Sequence, residues 1–494
     1  MPAGERPEHT STLARHTLAY GLSGFVVPLV GVVTLPIYSR IFSPAEYGLL
    51  ELGLVLTGIA LVAADAGLSA AAQREFYEYR SEHAAERRNV VFTGLVATVA
   101  LSLATAAVLL AFRDTIADRL LERPDEDTLV AVVAATIPAL TLATYLREVM
   151  RLGFRTGQYL VSSALAAVLT GALGVFAVVV LDLDVEGVFL GTLAASVVAV
   201  AYGAVAIRAD LSGRFARREL RALLAFGLPL VPAAVATWAL LLVDRLILRR
   251  LEDLDAVGQY AIASRLSGIL VLGMTGFVLA LGPYLLSVYS EEPDQEKLVR
   301  GRTLTYLAFT LGLGALALTL FAEELTHLFA PDYDEAADAV GPLAFGAIGY
   351  GAAAVLLTGI GLARRTIYVA GLATIAAGVN IALNFTLIPP LGIVGAALAS
   401  AGGYGALALL YYWAAQRVYP TPFEPRKVVI IVALAIAAAF AAALPLDGFA
   451  AVVVKLVAIA AFLGAVVASG AIGTEELREL SRFGRAMIPR ARTR

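Results

Sequence analysis

Apolar residues come in runs of about twenty along most of the chain, separated by short polar stretches. Fourteen such runs can be marked, at 17–38, 46–67, 90–112, 129–149, 158–181, 187–207, 223–247, 257–285, 303–322, 339–362, 366–388, 393–416, 428–445 and 449–471. A run of that length crosses the hydrocarbon core of a bilayer as a helix. Helix is the expected form because lipid cannot satisfy open backbone groups. The pattern therefore predicts an all-α polytopic membrane protein with about 14 transmembrane helices.

The polar positions between the runs predict the orientation. Counted alternately with the amino terminus inside, the inside segments hold 28 Lys and Arg and the outside segments 6. Basic residues accumulate on the cytoplasmic side of membrane proteins. Both termini are thus expected in the cytoplasm of a multi-pass protein of the cell membrane. The inside stretches at 73–89 and 208–221 are amphipathic and basic, whereas the outer stretches at 121–127 and 330–336 are acidic. The arginine-rich tail at 472–494 is expected along the inner membrane surface.

Composition agrees: 59% of the residues are hydrophobic and 16% are charged. A soluble domain carries about 25% charged residues. The net charge of −3 offers no basic field for nucleic acid. The chain has no cysteine, which excludes disulfides and thiolate metal sites.

The seventh run stands out. Phe226–Leu251 carries Pro229 and Pro232 in its first turns and an adjacent Asp244–Arg245 pair near its far end. Charge inside a membrane is costly, so such a pair is expected to face inward and to serve function. This run also opens a repeat. Arg40 precedes Gly48 by eight residues, as Arg250 precedes Gly258, at an offset of 210. Gly187–Ser196 (GVFLGTLAAS) is matched by Leu391–Ser400 (LGIVGAALAS) at an offset of 204. The expected organisation is an N-terminal lobe at 1–208, a linker at 209–221 and a C-terminal lobe at 222–418. Two further helices at 428–471 and the tail follow. Six helices per copy is an even number, so the two lobes should be related by a pseudo-twofold axis along the membrane normal. Asp244–Arg245 falls on Thr34–Leu35 under the offset, so the charged pair belongs to one lobe only.

FGLPLVPAAVATWALLLVDRLIL, AVGQYAIASRLSGIL at Ala256–Leu270, NIALNFTLIPPLGIVGAALAS at Asn380–Ser400 and DAGLSAAAQREFYEY at Asp65–Tyr79 occur in that architecture. Over about residues 10–420 the chain resembles the polysaccharide-transporter and oligosaccharide-flippase family. That family belongs to the multidrug/oligosaccharidyl-lipid/polysaccharide superfamily. The resemblance implies an alternating-access flippase that carries lipid-linked oligosaccharide from the inner to the outer leaflet. The sugar-phosphate head would pass between the lobes and the polyprenyl tail would stay in lipid. Membrane lipids and glycan polymerase or transferase machinery are the expected partners.

A phosphate in such a cavity needs positive charge, and Arg supplies planar, multi-donor recognition. Arg245 and Arg265 lie within runs and are the first candidates, with Asp244 as a breakable partner. Asn380 and Asn384, spaced i,i+4, are candidates for sugar hydroxyls, and Arg40 for release at the outer end. Asp65, Arg74, Arg147 and Arg151, with Glu75 and Glu148 beside them, are candidates for a cytoplasmic gate. Glu51, a lone carboxylate in a run, is the candidate for coupling to a proton or sodium gradient. Pro229 and Pro232, like Pro28 and Pro36, remove helix hydrogen bonds and are candidate hinges.

Enzyme signals are poor. No Lys follows a Gly as a phosphate loop requires, no HExxH occurs, and His9, His16, His83 and His327 fall at termini or in loops. No cofactor is expected. Four Asp-x-Asp triplets, at 125/127, 182/184, 253/255 and 332/334, read as solvated helix caps. A cation-coupled drug or metabolite exporter of the same superfamily is the alternative function. An integral membrane glycosyltransferase using an Asp-x-Asp pair is the third.

Overall fold

The computed structural model describes residues 29–79, 83–291, 293–362, 367–444 and 448–473. Every described secondary element is helical. In the first half lie α1 (Leu29–Tyr38), α2 (Pro44–Asp65), α3 (Leu68–Glu78), α4 (Ala84–Ala111) and the short α5 (Arg113–Ile116). They are followed by α6 (Asp127–Leu152), α7 (Thr156–Val179) and α8 (Val185–Ala206). An amphipathic linker helix, α9 (Arg217–Gly227), leads into α10 (Val231–Leu251) and α11 (Leu254–Glu291). Next come α12 (Pro293–Leu320), α13 (Ala322–Phe329), α14 (Ala336–Leu362), α15 (Ile367–Val418), α16 (Pro425–Ala439) and α17 (Gly448–Ala468).

All fourteen expected runs fall on helix where they are described, with three adjustments at their edges. Residues 223–227 belong to α9, because Pro229 and Pro232 start a new helix through a 3₁₀ turn at Leu228–Leu230. The eleventh and twelfth runs join into α15, a 52-residue helix that turns at Gly392, whose φ of 53° and ψ of −131° are not helical. Pro389 and Pro390 stand just before that bend. Both lack the N–H that a continuing helix would need. The thirteenth run makes a helix of only 15 residues before a 3₁₀ turn at Phe440–Ala443. The start of the first run, with Pro28, and the tail at 474–494 lie outside the described residues.

The loops at 39–43, 117–126, 252–253 and 330–335 share one end of the bundle, called here the acidic end. At this end one apolar core draws on both halves: Tyr47, Leu50 and Leu52 pack with Val257, Tyr260, Val340 and Ile388. At the other, basic end the core divides. Leu68, Val90, Leu146 and Leu223 form one cluster, while Leu240, Leu304, Leu356 and Leu407 form another. A fourth cluster seats α16 and α17 on α12, through Phe309, Ile431 and Phe462. The halves therefore share one core at the acidic end, whereas at the basic end they meet through α9, where Leu223 packs with Leu68 and Val90.

Hydrogen bonds across the halves reinforce the acidic end. Arg40 Nη2 donates to Leu328 O (2.9 Å), Ser39 Oγ to Phe329 O (2.6 Å) and Tyr333 Oη to Phe42 O (2.8 Å). In the opposite sense, Arg249 donates to Leu121 O (3.3 Å) and pairs with Glu122 (3.2 Å). The residues after α1 thus clasp the end of α13, and the end of α10 clasps the turn that follows α5. That is the reciprocal arrangement expected of a repeat.

Candidate functional site

Beneath that clasp α2 crosses α11 at Gly48 and Gly258. A Cβ built on Gly48 would lie 3.2 Å from Gly258 N, and one built on Gly258 would lie 3.2 Å from Gly48 N. Each would also collide with a carbonyl oxygen of the other helix, Leu254 O and Pro44 O respectively. Both matched pairs, Gly48 with Gly258 and Pro44 with Leu254, are 210 residues apart in sequence. A contact between equivalent positions lies on the pseudo-twofold axis that relates them.

Glu51 follows Gly48 by three residues, about 4.5 Å along the helix. It is 6% exposed and is the first half's contribution to a buried ionic cluster. Arg265 of α11 donates to Glu51 Oε1 from Nη2 (2.5 Å) and Nε (3.2 Å). Arg245 of α10 donates to Asp244 Oδ1 (2.8 Å), Leu241 O (2.8 Å) and Ser264 Oγ (2.9 Å). Its Nε lies 3.9 Å from Glu51 Oε2 and has no hydrogen-bond partner. Asp244 Oδ2 accepts from Tyr260 Oη and from Ser400 Oγ (2.9 Å). The guanidinium groups of Arg245 and Arg265 sit over the Tyr260 and Tyr47 rings, at 5.1 and 5.4 Å.

Two carboxylates and two guanidiniums balance, as buried charge requires. Yet the balance spans the junction between the halves, because Glu51 comes from one side and the other three from the other. Arg265 is the most open of the four, with 27% of its side chain exposed. It lines a cavity of about 210 Å³ between α1 and α11, otherwise apolar, with Val32, Leu35, Leu272 and Phe329. A second cavity of about 270 Å³ shares Gly268 and Leu272 with the first. Its wall is more polar: Ser264, Ser267, Thr275 and Tyr404.

The other candidates lie elsewhere. Asn380 donates to Ala399 O (3.1 Å) and so joins the two arms of α15, Asn384 donates to Asn380 O (2.9 Å) on its own arm, and both are wholly buried. Arg40 serves the clasp at the acidic end. At the basic end, Asp65 caps α3 by accepting from Gly67 N (3.1 Å) and Ser69 N (3.3 Å). Arg74 pairs with Glu78 (3.0 Å) and covers the Phe226 ring of α9 (4.6 Å). Arg147 donates to Thr144 Oγ1 (3.0 Å), and Arg151 pairs with Glu148 (2.5 Å). Asp65, Arg147 and Arg151 lie near one another around Glu148 at this end, whereas Arg74 is paired with Glu78. Pro229 and Pro232 occupy the exposed joint between α9 and α10. Tyr260, Ser264 and Ser400 belong to the cluster and were not singled out from the sequence. Tyr260 lies two residues after Gly258 in AVGQYAIASRLSGIL and Ser400 ends the repeated LGIVGAALAS segment, which were their available signals.

A family model described as polysaccharide biosynthesis protein matches residues 13–288. An uncharacterized membrane protein of Methanocaldococcus jannaschii is 23% identical over 460 residues, 85% of this chain and 86% of that protein. The fold is similar to that of the lipid II flippase MurJ in an inward closed conformation. The TM-score is 0.72 at 15% identity, over 90% of this chain and 97% of that one. A Vibrio cholerae MATE transporter gives a TM-score of 0.59 at 16% identity, over 83% and 97% of the two chains. The architecture is thus that of the superfamily holding the MATE multidrug transporters. With the family model covering more than half of its residues, the chain belongs to the polysaccharide biosynthesis protein family.

Proposed function

We propose that the protein is an alternating-access flippase for a lipid-linked oligosaccharide, carried from the inner to the outer leaflet of the cell membrane. The observation that carries this reading is the Glu51–Arg265 pair, buried across the junction of the halves beside an apolar cavity. Neither cavity is large enough for an oligosaccharide as it stands, so the halves must part to admit one. Parting at the junction separates Glu51 from Arg265 and leaves two arginines without their shared carboxylate. A phosphate is the anion that restores the balance, and Arg245 Nε already lacks an acceptor. The lipid tail lies in the cavity between α1 and α11, while sugar hydroxyls meet the Ser and Thr side chains of the second cavity. In this reading the acidic end faces outward and both termini face the cytoplasm, as the basic loops require. A lipid II flippase among the similar folds, and a family of polysaccharide biosynthesis proteins, support a sugar-bearing lipid as cargo.

The test is depletion of the protein followed by measurement of lipid-linked glycan on each leaflet. Accumulation on the inner leaflet is expected, and unchanged leaflet amounts would contradict the reading. Glu51 also supports a second reading, a cation-coupled exporter in which this carboxylate takes up a proton or sodium ion. Gradient-driven dye efflux from vesicles, abolished by Glu51→Gln, would favour it. Either reading is of transport without chemical conversion of the cargo.

A further inference from the structure

The second cavity, of about 270 Å³, carries groups that its own repeat lacks. Ser264 and Tyr404 line it, and the first half has Leu54 at the place of Ser264 (offset 210) and Val200 at the place of Tyr404 (offset 204). That hydroxyl and that ring are therefore features of the second half alone. Glycines on α14 set the ring in place. A Cβ on Gly349 would lie 2.9 Å from Tyr404 C, and one on Gly346 would lie 3.4 Å from Tyr404 Cδ2, so α15 runs close against α14 at this residue. The ring lines the cavity and packs on Tyr350, with centroids 5.3 Å apart and a tilt of 57°.

The hydroxyls around it have unspent capacity. Ser264 Oγ accepts from Arg245 Nη2 (2.9 Å) and keeps its own proton to donate. Ser267 and Thr275 donate to Val340 O (2.9 Å) and Val271 O (2.7 Å) and keep lone pairs to accept. None of the described lining residues is charged. An aromatic ring among donors and acceptors, without charge, suits a neutral sugar: its C–H face meets the negative face of the phenol, and its hydroxyls meet hydroxyls.

We propose that this cavity is the subsite for the sugar joined to the phosphate, with Tyr404 setting a preference for a neutral hexose. This rests on the flippase reading. Ser264 and Arg265 are consecutive on α11 and line different cavities. A phosphate held at Arg245 and Arg265 is thus one residue from the hydroxyl wall, and the sugar attached to it reaches Tyr404. A cavity of about 270 Å³ takes one ring rather than a chain, so sugars further along the glycan are not read there.

The test is equilibrium binding to the purified full chain in detergent. Two polyprenyl phosphodiesters of equal charge are compared, one esterified with a neutral hexose and one with methyl. The hexose lipid is expected to bind the wild type about tenfold tighter, the size of a well-placed aromatic contact. Tyr404→Ala should abolish that ratio, and Tyr404→Phe, which keeps the ring, should retain most of it. If Tyr404→Ala does not fold, Tyr404→Leu replaces it with the same expectation. A merely structural role would weaken both lipids alike and leave their ratio unchanged. A hexuronic acid in place of the hexose should bind no better than methyl. Equal affinities for the hexose and methyl lipids in the wild type, a ratio that survives Tyr404→Ala, or a hexuronic acid lipid as tight as the hexose lipid would overturn the proposal. Nothing is transported in this assay, so a failure of the flippase reading appears in the leaflet measurement and not here.

Discussion

Gly48 and Gly258 face each other where α2 crosses α11, each so close to the other helix that a side chain on either would strike backbone. They are equivalent residues of a repeat, so the contact is made between a position and its own copy. Close approach of this kind suits helices in lipid, where packing of small residues replaces hydrophobic burial as the source of association. Here it holds the halves together at the acidic end only.

Gly48→Ala or Gly258→Ala should therefore weaken closure of the acidic end. The obstacle is backbone, which no rotamer change relieves, and overpacking of this sort costs about 1–3 kcal/mol. A cysteine pair at Arg40 and Leu328, across the clasp, reads the effect. Its oxidative cross-linking should be efficient with both glycines present and fall several-fold with either alanine. Unchanged cross-linking in both variants would show that the glycine crossing does not govern closure.

Glu51→Gln removes the carboxylate that the two arginines share. Leaving a buried charge without its partner costs about 3–5 kcal/mol, so the closed arrangement should be destabilised and the same cross-link reduced. Exchanging the charges, Glu51→Arg with Arg265→Glu, should recover part of the loss. A double variant no better than the sum of its parts would indicate that the two side chains act separately.

Asp244 is the anchor of Arg245, Tyr260 and Ser400. Asp244→Ala should lower the melting temperature in detergent far more than Ser400→Ala. The first strands a buried guanidinium, whereas the second removes one hydrogen bond worth about 1 kcal/mol. Comparable shifts for the two would remove Asp244 from that role.

The last helix is tied by Lys455, whose Nζ donates to Glu324 Oε1 (2.5 Å). Desolvation raises the Glu324 carboxyl, and the hydrogen bond from Lys455, a backbone hydrogen bond and the charge of Lys455 together more than reverse it, so it titrates below its ordinary value. A depressed carboxylate contributes stability that is present above its unfolded pKa and lost as pH falls through the folded one. The destabilisation caused by Lys455→Ala should thus be visible near neutral pH and vanish in acid, by thermal melts across that range. A difference that persists once Glu324 is protonated would contradict this.

Much of the framework is legible from the chain because membrane spanning and the repeat leave one-dimensional signals: apolar run length, basic loops and the offset of 210. The four charged members of the cluster were legible too, since Glu51, Asp244, Arg245 and Arg265 are anomalies in apolar runs. What joins them was not. Tyr260 and Ser400 meet at Asp244 from 140 residues apart, and the local segments they belong to do not say that they meet. Asn380 and Asn384 show the converse: a polar pair on one helix face looks available for cargo, yet both are buried, with Asn380 bonded to the second arm beyond the bend at Gly392 and Asn384 bonded to Asn380.

The central claim is that Arg265 receives the phosphate of a lipid-linked sugar between the halves. The direct measurement is reconstitution of the purified protein with a fluorescent polyprenyl-diphosphate oligosaccharide, followed by quenching from one side of the vesicle. The wild type should move the lipid between leaflets. Arg265→Ala should slow it by at least about tenfold, the effect of losing 1.4 kcal/mol or more of binding, while remaining folded in the membrane. No movement by the wild type, or equal movement by Arg265→Ala, would contradict the account.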